Sequence, residues 1–179
     1  KRKCIKCEQI SYLSDQVPKI EDNFEQIISP ETAYQMISML EGVVQRGTGR
    51  KLKHLNLNLA GKTGTTNNNT DTWFIGFTSK LVVGIYVGFD EPASLGRYET
   101  GGKTAMPIFK KFILNSISKQ DATPFKVPDG IVMMVVDPAT GQKVDFNSKN
   151  SIYESFKEKN ISEADIENNY NDLIFNNSK

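Results

Sequence analysis

The chain contains 179 residues, of which 38% are hydrophobic, and it carries 22 basic and 21 acidic side chains. This length suffices for one domain, or most of one, with its own hydrophobic core. The near-zero net charge argues against nucleic acid or an anionic membrane as a partner. The sequence has no apolar run long enough to span a bilayer and no secretory signal pattern. Because it begins at Lys1 without an initiator methionine, we expect a piece of a longer protein.

Two cysteines, Cys4 and Cys7, form the only Cys-x-x-Cys pair. A structural zinc site usually takes four ligands, and the single histidine, His54, is far away in sequence. A thioredoxin-like redox role lacks the expected strand and helix around the pair. We therefore predict a loop or insertion over residues 1–28, whose sulfurs pair locally or stay free, with no metal ion and no cofactor. Pro18 and the lack of a sustained period agree with a loop.

The first predicted helix begins after Ser29, which is a good cap, with Pro30 in the first turn. Gly47 suits the end of this helix. Its apolar residues recur at helical spacing and should form one buried face: Ala33, Met36, Ile37, Leu40, Val43 and Val44. Residues 50–59 alternate leucines with polar side chains, which predicts an extended segment leading into the next strand. His54 lies in this segment. It is a candidate general base only because it is the one histidine in the sequence.

Residues 60–66 (AGKTGTT) predict a short polar strand. Alternation along a strand places Lys62 and Gly64 on one face and Thr63 and Thr65 on the other. Gly64 lets another backbone approach, and an edge strand can pair with an extended peptide. The two hydroxyls then suit a carboxylate, and Lys62 supplies positive potential. The alternative is an ordinary turn or strand end, since short motifs produce false positives.

The following residues predict a layered arrangement of helices and strands, an α+β fold. Residues 67–70 form a polar turn ordered by Asp71 through side-chain to backbone hydrogen bonds. Residues 73–77 and 81–89 predict a hairpin, whose second strand is apolar enough to be covered on both faces. Residues 104–117 predict a helix that packs on this sheet, with an apolar face of Met106, Phe109, Phe112 and Ile113.

The C-terminal residues contain two further segments. Pro124 and Pro128 indicate a linker over 123–130, and residues 131–136 and 142–146 predict a second hairpin. The domain boundaries expected from these patterns are 1–28, 29–122, 123–146 and 147–179. The last is a polar tail that is either disordered or helical, with Ile166, Tyr170, Leu173 and Ile174 on one face.

The Lys-Thr-Gly of residues 62–64 is accompanied by several characteristic segments. They are EGVVQRGTG at 41–49, WFIGF at 73–77, GIYVGFD at 84–90, and TGG at 100–102 leading to AMPIF at 105–109. Together these segments resemble the transpeptidase domain of class A penicillin-binding proteins, in which Lys-Thr-Gly is the third motif, after Ser-x-x-Lys and Ser-x-Asn. The similarity is greatest to the 1A type and runs from about residue 4 to about residue 141.

The resemblance implies a serine acyl-transfer mechanism whose nucleophile this chain lacks. In the family, both serine motifs precede Lys-Thr-Gly, whereas the formal matches here begin at Ser116 and Ser148 and follow it. About one match of each kind is expected by chance. The chain therefore resembles the C-terminal part of a transpeptidase domain, with residues 29–122 as that part, and it should be inactive alone.

The resemblance also implies roles and partners. Lys62 is the implied catalytic residue, Thr63, Gly64 and Thr65 are the implied substrate-binding residues, and the Thr65 N–H shares an oxyanion hole. The implied ligands are peptidoglycan stem peptides and β-lactams, with other cell-wall proteins as further partners. An upstream glycosyltransferase domain and membrane anchor would place the enzyme on the periplasmic face of the inner membrane. Two alternatives are a non-catalytic module that binds cell-wall peptides and part of a class A β-lactamase, against which the length beyond residue 118 argues.

Overall fold

The computed structural model describes residues 2–5, 19–22, 25–118, 122–145 and 147–166. Antiparallel sheets and separate helices in these residues give the α+β architecture that the sequence predicts. The strands and helices are β1 (Arg2–Ile5), β2 (Lys19–Asp22), α1 (Pro30–Gln45), β3 (Ala60–Thr65), β4 (Asp71–Phe77), β5 (Val82–Gly88), α2 (Ala105–Ser116), β6 (Ile131–Val136) and β7 (Ile152–Lys157). Neither described α-helix combines the length and apolar character needed to cross a membrane.

The central sheet is a three-stranded antiparallel meander in the order β3-β4-β5. Both helices pack against it, α1 on β3 and α2 on β4 and β5. Phe74 of β4 and Phe109 of α2 are fully buried, with ring centroids 4.8 Å apart. The buried cluster around them also contains Val44, Leu52, Leu59, Ala105, Met106 and Ile113. This core lies directly behind β3 and fixes the position of its polar residues.

Helix α1 begins as predicted, because the Ser29 hydroxyl accepts a hydrogen bond from the Thr32 N–H and Pro30 occupies the first turn. Its buried residues are Tyr34, Gly42 and Val44, whereas Met36 is half exposed. The predicted face was wrong at Met36. The helix contacts β7 as well as β3, so its buried face is shifted toward Tyr34.

Residues 50–59 do not form the predicted extended segment. Residues Arg50–Leu55 form a 3₁₀-helix that begins with a hydrogen bond from the Leu52 N–H to the Gly49 carbonyl. Leu52 and Leu55 are three residues apart, and a 3₁₀ turn brings such a pair to the same side. Both leucines pack on the core, which explains why apolar residues that alternate with polar ones adopt a helical turn here.

The predicted hairpin of β4 and β5 is confirmed, but β5 is not covered on both faces by the residues that the structure describes. Val83, Ile85 and Val87 pack on the core, whereas Val82 and Tyr86 remain 70% and 50% exposed. Helix α2 also differs in one position from its predicted buried face, since Phe112 is 44% exposed. Only one layer of helices covers this sheet within the described residues.

The N-terminal residues include strands that the sequence did not predict. Strands β1 and β2 pair antiparallel, with Cys4 opposite Ile20, so the loop predicted over 1–28 is wrong in these two segments. The polar β2 residues lack an alternating apolar pattern, so their strand conformation depends on a distant partner. Cys7 lies outside the described residues, and the state of the two sulfurs stays a prediction.

The second predicted hairpin has a different partner strand. Strand β6 pairs along its whole length with β7, whereas the predicted partner segment contributes one bridge, between Val136 and Lys143. The Asp137 carboxylate accepts hydrogen bonds from the N–H groups of Ala139 and Thr140. These contacts hold a turn that leads away from β6, and the chain returns at β7. Part of the predicted tail is therefore a strand, and the helix expected to extend to Ile174 lies mostly outside the described residues.

The close packing behind the sheet predicts that an added methyl group destabilises the fold at one glycine and has little effect at another. A Cβ at Gly76 would lie 2.6 Å from both Phe109 and Phe74 ring atoms, whereas one at Gly84 would meet only Ile75, at 3.9 Å. Gly76→Ala should lower the free energy of unfolding by about 1–3 kcal/mol through overpacking. Gly84→Ala is the matched control, with little or no loss. Urea unfolding of both variants tests this, and equal stabilities would contradict the described core.

Candidate functional site

The polar strand β3 lies at the edge of the central sheet. It pairs with β4 on one side, with Lys62 opposite Ile75 and Gly64 opposite Trp73, and no described residue pairs with its other side. The Thr66 N–H donates to the Asp71 carbonyl, 3.0 Å away. In an antiparallel ladder the residues that bond their partner alternate. Lys62 and Gly64 therefore bond β4, and the N–H and C=O groups of Thr63 and Thr65 point to the open edge.

The side chains of β3 divide between two faces as the sequence predicts. Lys62 lies on the face opposite the helices and is exposed. Its Nζ bends around the edge and donates to the Thr63 carbonyl, 2.8 Å away. The ammonium group therefore stands at the open edge of the strand, beside the backbone groups that an added peptide strand would meet.

The two threonine hydroxyls of β3 are oriented by neighbouring segments on the helix side. The Thr63 and Thr48 hydroxyl oxygens are 3.0 Å apart and share a hydrogen bond. The Thr65 hydroxyl accepts a hydrogen bond from the Gly101 N–H, 3.1 Å away. A hydroxyl that accepts such a bond retains its own proton for another acceptor. Thr65 can therefore donate to a ligand, and so can Thr63 when Thr48 is its donor.

These hydroxyls line an open recess of ≈ 450 Å³ beside the edge of β3. The recess contains hydroxyls and cations but no carboxylate among its lining residues: Thr48, Lys51, Thr63, Thr65, Thr100, Gly102 and Lys103. Hydroxyl donors combined with ammonium groups favour an anionic ligand such as a carboxylate. The site thus combines an open strand edge with an anion-binding recess.

Two of these lining residues, Thr63 and Thr65, were predicted from the sequence to bind a ligand, whereas the other five had no predicted role. Thr48 lies in the loop after α1, and Thr100 precedes α2, so they meet β3 only in the folded chain. The clustered glycines in RGTG and TGG were the available signal, because glycine marks close backbone approach. Gly101 shows this requirement directly, since a Cβ there would overlap the carbonyl oxygens of Trp73 and Gly64.

The far end of β3 is held by a hydrogen-bond network around Asp71. Its carboxylate accepts from the hydroxyls of Tyr86, Thr66 and Thr70, and the bond from Tyr86 is the main cause that lowers the pKa of Asp71. The predicted side-chain to backbone bonds come instead from Thr66, whose hydroxyl accepts the Asp71 N–H. A lowered carboxyl pKa stabilises the fold above the unfolded pKa, and this stabilisation is lost as pH falls through the folded pKa.

The formal serine motifs and the histidine lie away from the recess. Ser116 ends α2, Ser148 lies in the turn between β6 and β7, and neither belongs to the recess lining. His54 lies in the 3₁₀-helix and lines a neighbouring recess, which shares Lys51 with the recess beside β3. Among the residues that the structure describes, no serine or imidazole borders the recess beside Thr63 and Thr65.

The contact between Gly101 and β3 predicts a selective effect of two adjacent substitutions. Gly101→Ala should displace residues 100–103 from β3, break the bond to the Thr65 hydroxyl, and cost about 1–3 kcal/mol of unfolding free energy. Gly102→Ala is the control, because a Cβ there has no neighbour closer than 3.5 Å. Urea unfolding and the amide chemical shift of Thr65 test both. A Gly101→Ala protein that matches Gly102→Ala in both measurements would contradict this geometry.

Comparisons with known proteins all point to one family. The family model described as the penicillin-binding protein transpeptidase domain matches residues 9–114. Penicillin-binding protein 1A of Rickettsia bellii is 44% identical over 160 residues, covering 86% of this chain and 20% of the relative. The Pseudomonas aeruginosa protein of the same name is 42% identical over 134 residues, covering 74% of this chain and 16% of the relative.

A solved structure agrees with these sequence matches. The crystal structure of penicillin-binding protein 1A from Haemophilus influenzae superposes with a TM-score of 0.62 at 32% identity. The match covers 72% of this chain and 20% of that one, and the chain spans about a fifth of the length of the first Rickettsia relatives. The residues that the family model matches include the β3 edge and the recess. The chain therefore belongs to the penicillin-binding protein transpeptidase family, as a C-terminal fragment of a class A member.

Proposed function

We propose that this chain supplies the substrate-binding edge of a penicillin-sensitive D,D-transpeptidase that cross-links peptidoglycan stem peptides. The single observation that carries the proposal is the open edge of β3, where the backbone groups of Thr63 and Thr65 face outward beside a hydroxyl-lined recess. An extended peptide can add to such an edge through main-chain hydrogen bonds. Its terminal carboxylate then reaches the Thr63 and Thr65 hydroxyls.

Each residue of the strand has a distinct role in this proposal. Thr63 and Thr65 donate their hydroxyl protons to the terminal carboxylate of a D-alanyl-D-alanine peptide. Gly64 keeps its face of the strand clear of side-chain bulk. Lys62 raises the positive potential at the edge and assists proton transfer to the leaving amine. Its exposed ammonium already lies at this edge, bonded to the Thr63 carbonyl.

The backbone of Thr65 contributes to stabilising the acyl-transfer intermediate. Its N–H points to the open edge, where it can donate to the oxyanion together with the N–H of the attacking serine. Loss of one such donor in a serine hydrolase costs roughly 2.7–4 kcal/mol of transition-state stabilisation. The direction of this N–H follows from the register of the ladder and does not depend on side-chain conformation.

The attacking serine lies outside this sequence in our proposal. No serine borders the recess among the described residues, and both formal serine motifs follow the Lys-Thr-Gly strand. In a serine hydrolase, loss of the nucleophile lowers the rate by about 10⁶. The 179-residue chain alone is therefore inactive, although it retains the geometry that binds the peptide terminus.

The longer enzyme would work outside the cytoplasm on the growing cell wall. Its serine attacks the carbonyl of the penultimate D-alanine, the terminal D-alanine leaves, and an amine of a neighbouring stem peptide resolves the acyl-enzyme. β-Lactams acylate the same serine because they resemble the dipeptide. A glycosyltransferase domain and a single membrane anchor in the longer protein complete the proposal, which places the enzyme at the periplasmic face of the inner membrane.

Penicillin labelling tests the proposal that this chain supplies the binding edge and that the nucleophilic serine lies in another part of the longer enzyme. The longer protein should label covalently with a fluorescent penicillin, and Lys62→Ala should abolish labelling because it removes the cation at the strand edge. Lys111→Ala is the matched control, since Lys111 is an exposed lysine of α2, and it should label fully. In-gel fluorescence at several incubation times measures the labelling rate of each variant.

The 179-residue chain provides the second arm of this test. Its mass after incubation with penicillin should be unchanged, because it contains no positioned nucleophile. Full labelling of the Lys62→Ala enzyme would refute the role of Lys62. A stoichiometric adduct on the short chain would instead show that one of its own side chains is the nucleophile.

A further inference from the structure

The recess beside β3 contains two lysines whose charges are not equivalent. Lys103 donates to the Glu99 carboxylate, 2.6 Å away, and the Thr104 hydroxyl donates to the same carboxylate. The bond from Lys103 is the main cause that lowers the pKa of Glu99. The positive charge of Lys103 is therefore offset locally. A ligand in the recess meets an ion pair at this position, with little net charge.

Lys51 is the other cation of the recess and has no such partner. Within the described residues it makes no hydrogen bond and no ion pair, although it lines the recess together with Thr48 and Thr63. The recess lining contains no acidic side chain. Lys51 consequently gives the recess a net positive charge.

The backbone around Lys51 is held firmly, which fixes the point from which its side chain extends. The next residue, Leu52, is buried in the core, and its N–H donates to the Gly49 carbonyl, 2.8 Å away. Gly49 is itself buried and closely packed, since a Cβ there would lie 3.2 Å from the Val43 carbonyl oxygen. A lysine anchored at its backbone loses less conformational entropy when it binds an anion than a lysine on a mobile loop.

From these observations we infer that Lys51 is a specificity-determining residue that supplies the positive charge for the peptide carboxylate held by Thr63 and Thr65. This inference rests on the proposed function, because it concerns the same ligand at the same edge. Thr48 positions the Thr63 hydroxyl, and Lys51 makes the recess prefer a carboxylate over its neutral amide. Lys62, on the opposite face of β3, keeps its proposed role in proton transfer to the leaving amine.

The charge on Lys51 predicts a preference that a purely structural role would not produce. The probe is diacetyl-L-lysyl-D-alanyl-D-alanine, compared with the same peptide carrying a C-terminal amide, titrated into the isotope-labelled 179-residue chain and followed by NMR. The carboxylate peptide should bind more tightly than the amide. Lys51→Ala should lower the affinity for the carboxylate peptide by about two- to fivefold, as expected for the loss of an exposed ion pair. The affinity for the amide peptide should not change.

Two further variants make the comparison specific. Lys51→Arg should restore the preference, because it keeps the charge. Lys53→Ala is the matched control, since Lys53 is exposed on the same 3₁₀-helix and does not line the recess. The effect of Lys51→Ala should also shrink at high salt, where exposed charges are screened.

The outcomes separate the inference from the function on which it rests. If the carboxylate peptide binds but Lys51→Ala weakens it no more than Lys53→Ala, the role of Lys51 is refuted and the binding edge stands. If acetate alone competes fully at peptide concentrations, the recess is a general anion site and the inference is wrong. If neither peptide binds the unsubstituted chain, both the inference and the proposed binding edge are wrong.

Discussion

The antiparallel register between β3 and β4 is the constraint on which the candidate site depends. It bonds the backbones of Lys62 and Gly64 to β4 and leaves those of Thr63 and Thr65 facing the open edge. A slip by one residue would exchange these sets and turn both hydroxyls away from the recess. The buried pair of Phe74 and Phe109 on the helix side of the sheet opposes such a slip, because it would turn the Lys62 side chain toward this apolar core.

Two loops approach the backbone of β3 closely and orient the hydroxyl donors of its open edge. Gly101 lies against the Gly64–Trp73 pair, where a side chain would not fit, and its N–H orients the Thr65 hydroxyl. The loop after α1 brings Thr48 to Thr63 in the same way. The core behind the sheet, the register and the two glycine-containing loops therefore act together. Each orients groups that β3 alone would leave free to rotate or to bond water.

The parts of the fold that follow from local sequence were predictable, and those that depend on distant partners were not. Helix α1 carries its own cap at Ser29, and the β4–β5 hairpin carries a local turn signal. Leu52 and Leu55 fit both an extended segment and a 3₁₀ turn, and only contact with the core selects the turn. Strand β7 and the recess residue Lys51 likewise depend on segments far away in sequence. The division of the β3 side chains between two faces could be predicted, because it depends only on alternation along consecutive residues.

Hydrogen exchange of the amides in β3 tests the open edge most directly. In the 179-residue chain, the Gly64 amide should be protected by its bond to β4, whereas the Thr63 and Thr65 amides should exchange rapidly with solvent. Saturation with a D-alanyl-D-alanine peptide should slow exchange at Thr65 and leave Gly64 unchanged. Strong protection of the Thr63 and Thr65 amides in the free chain would show that this edge is already occupied, and would contradict the proposed binding of an added peptide strand.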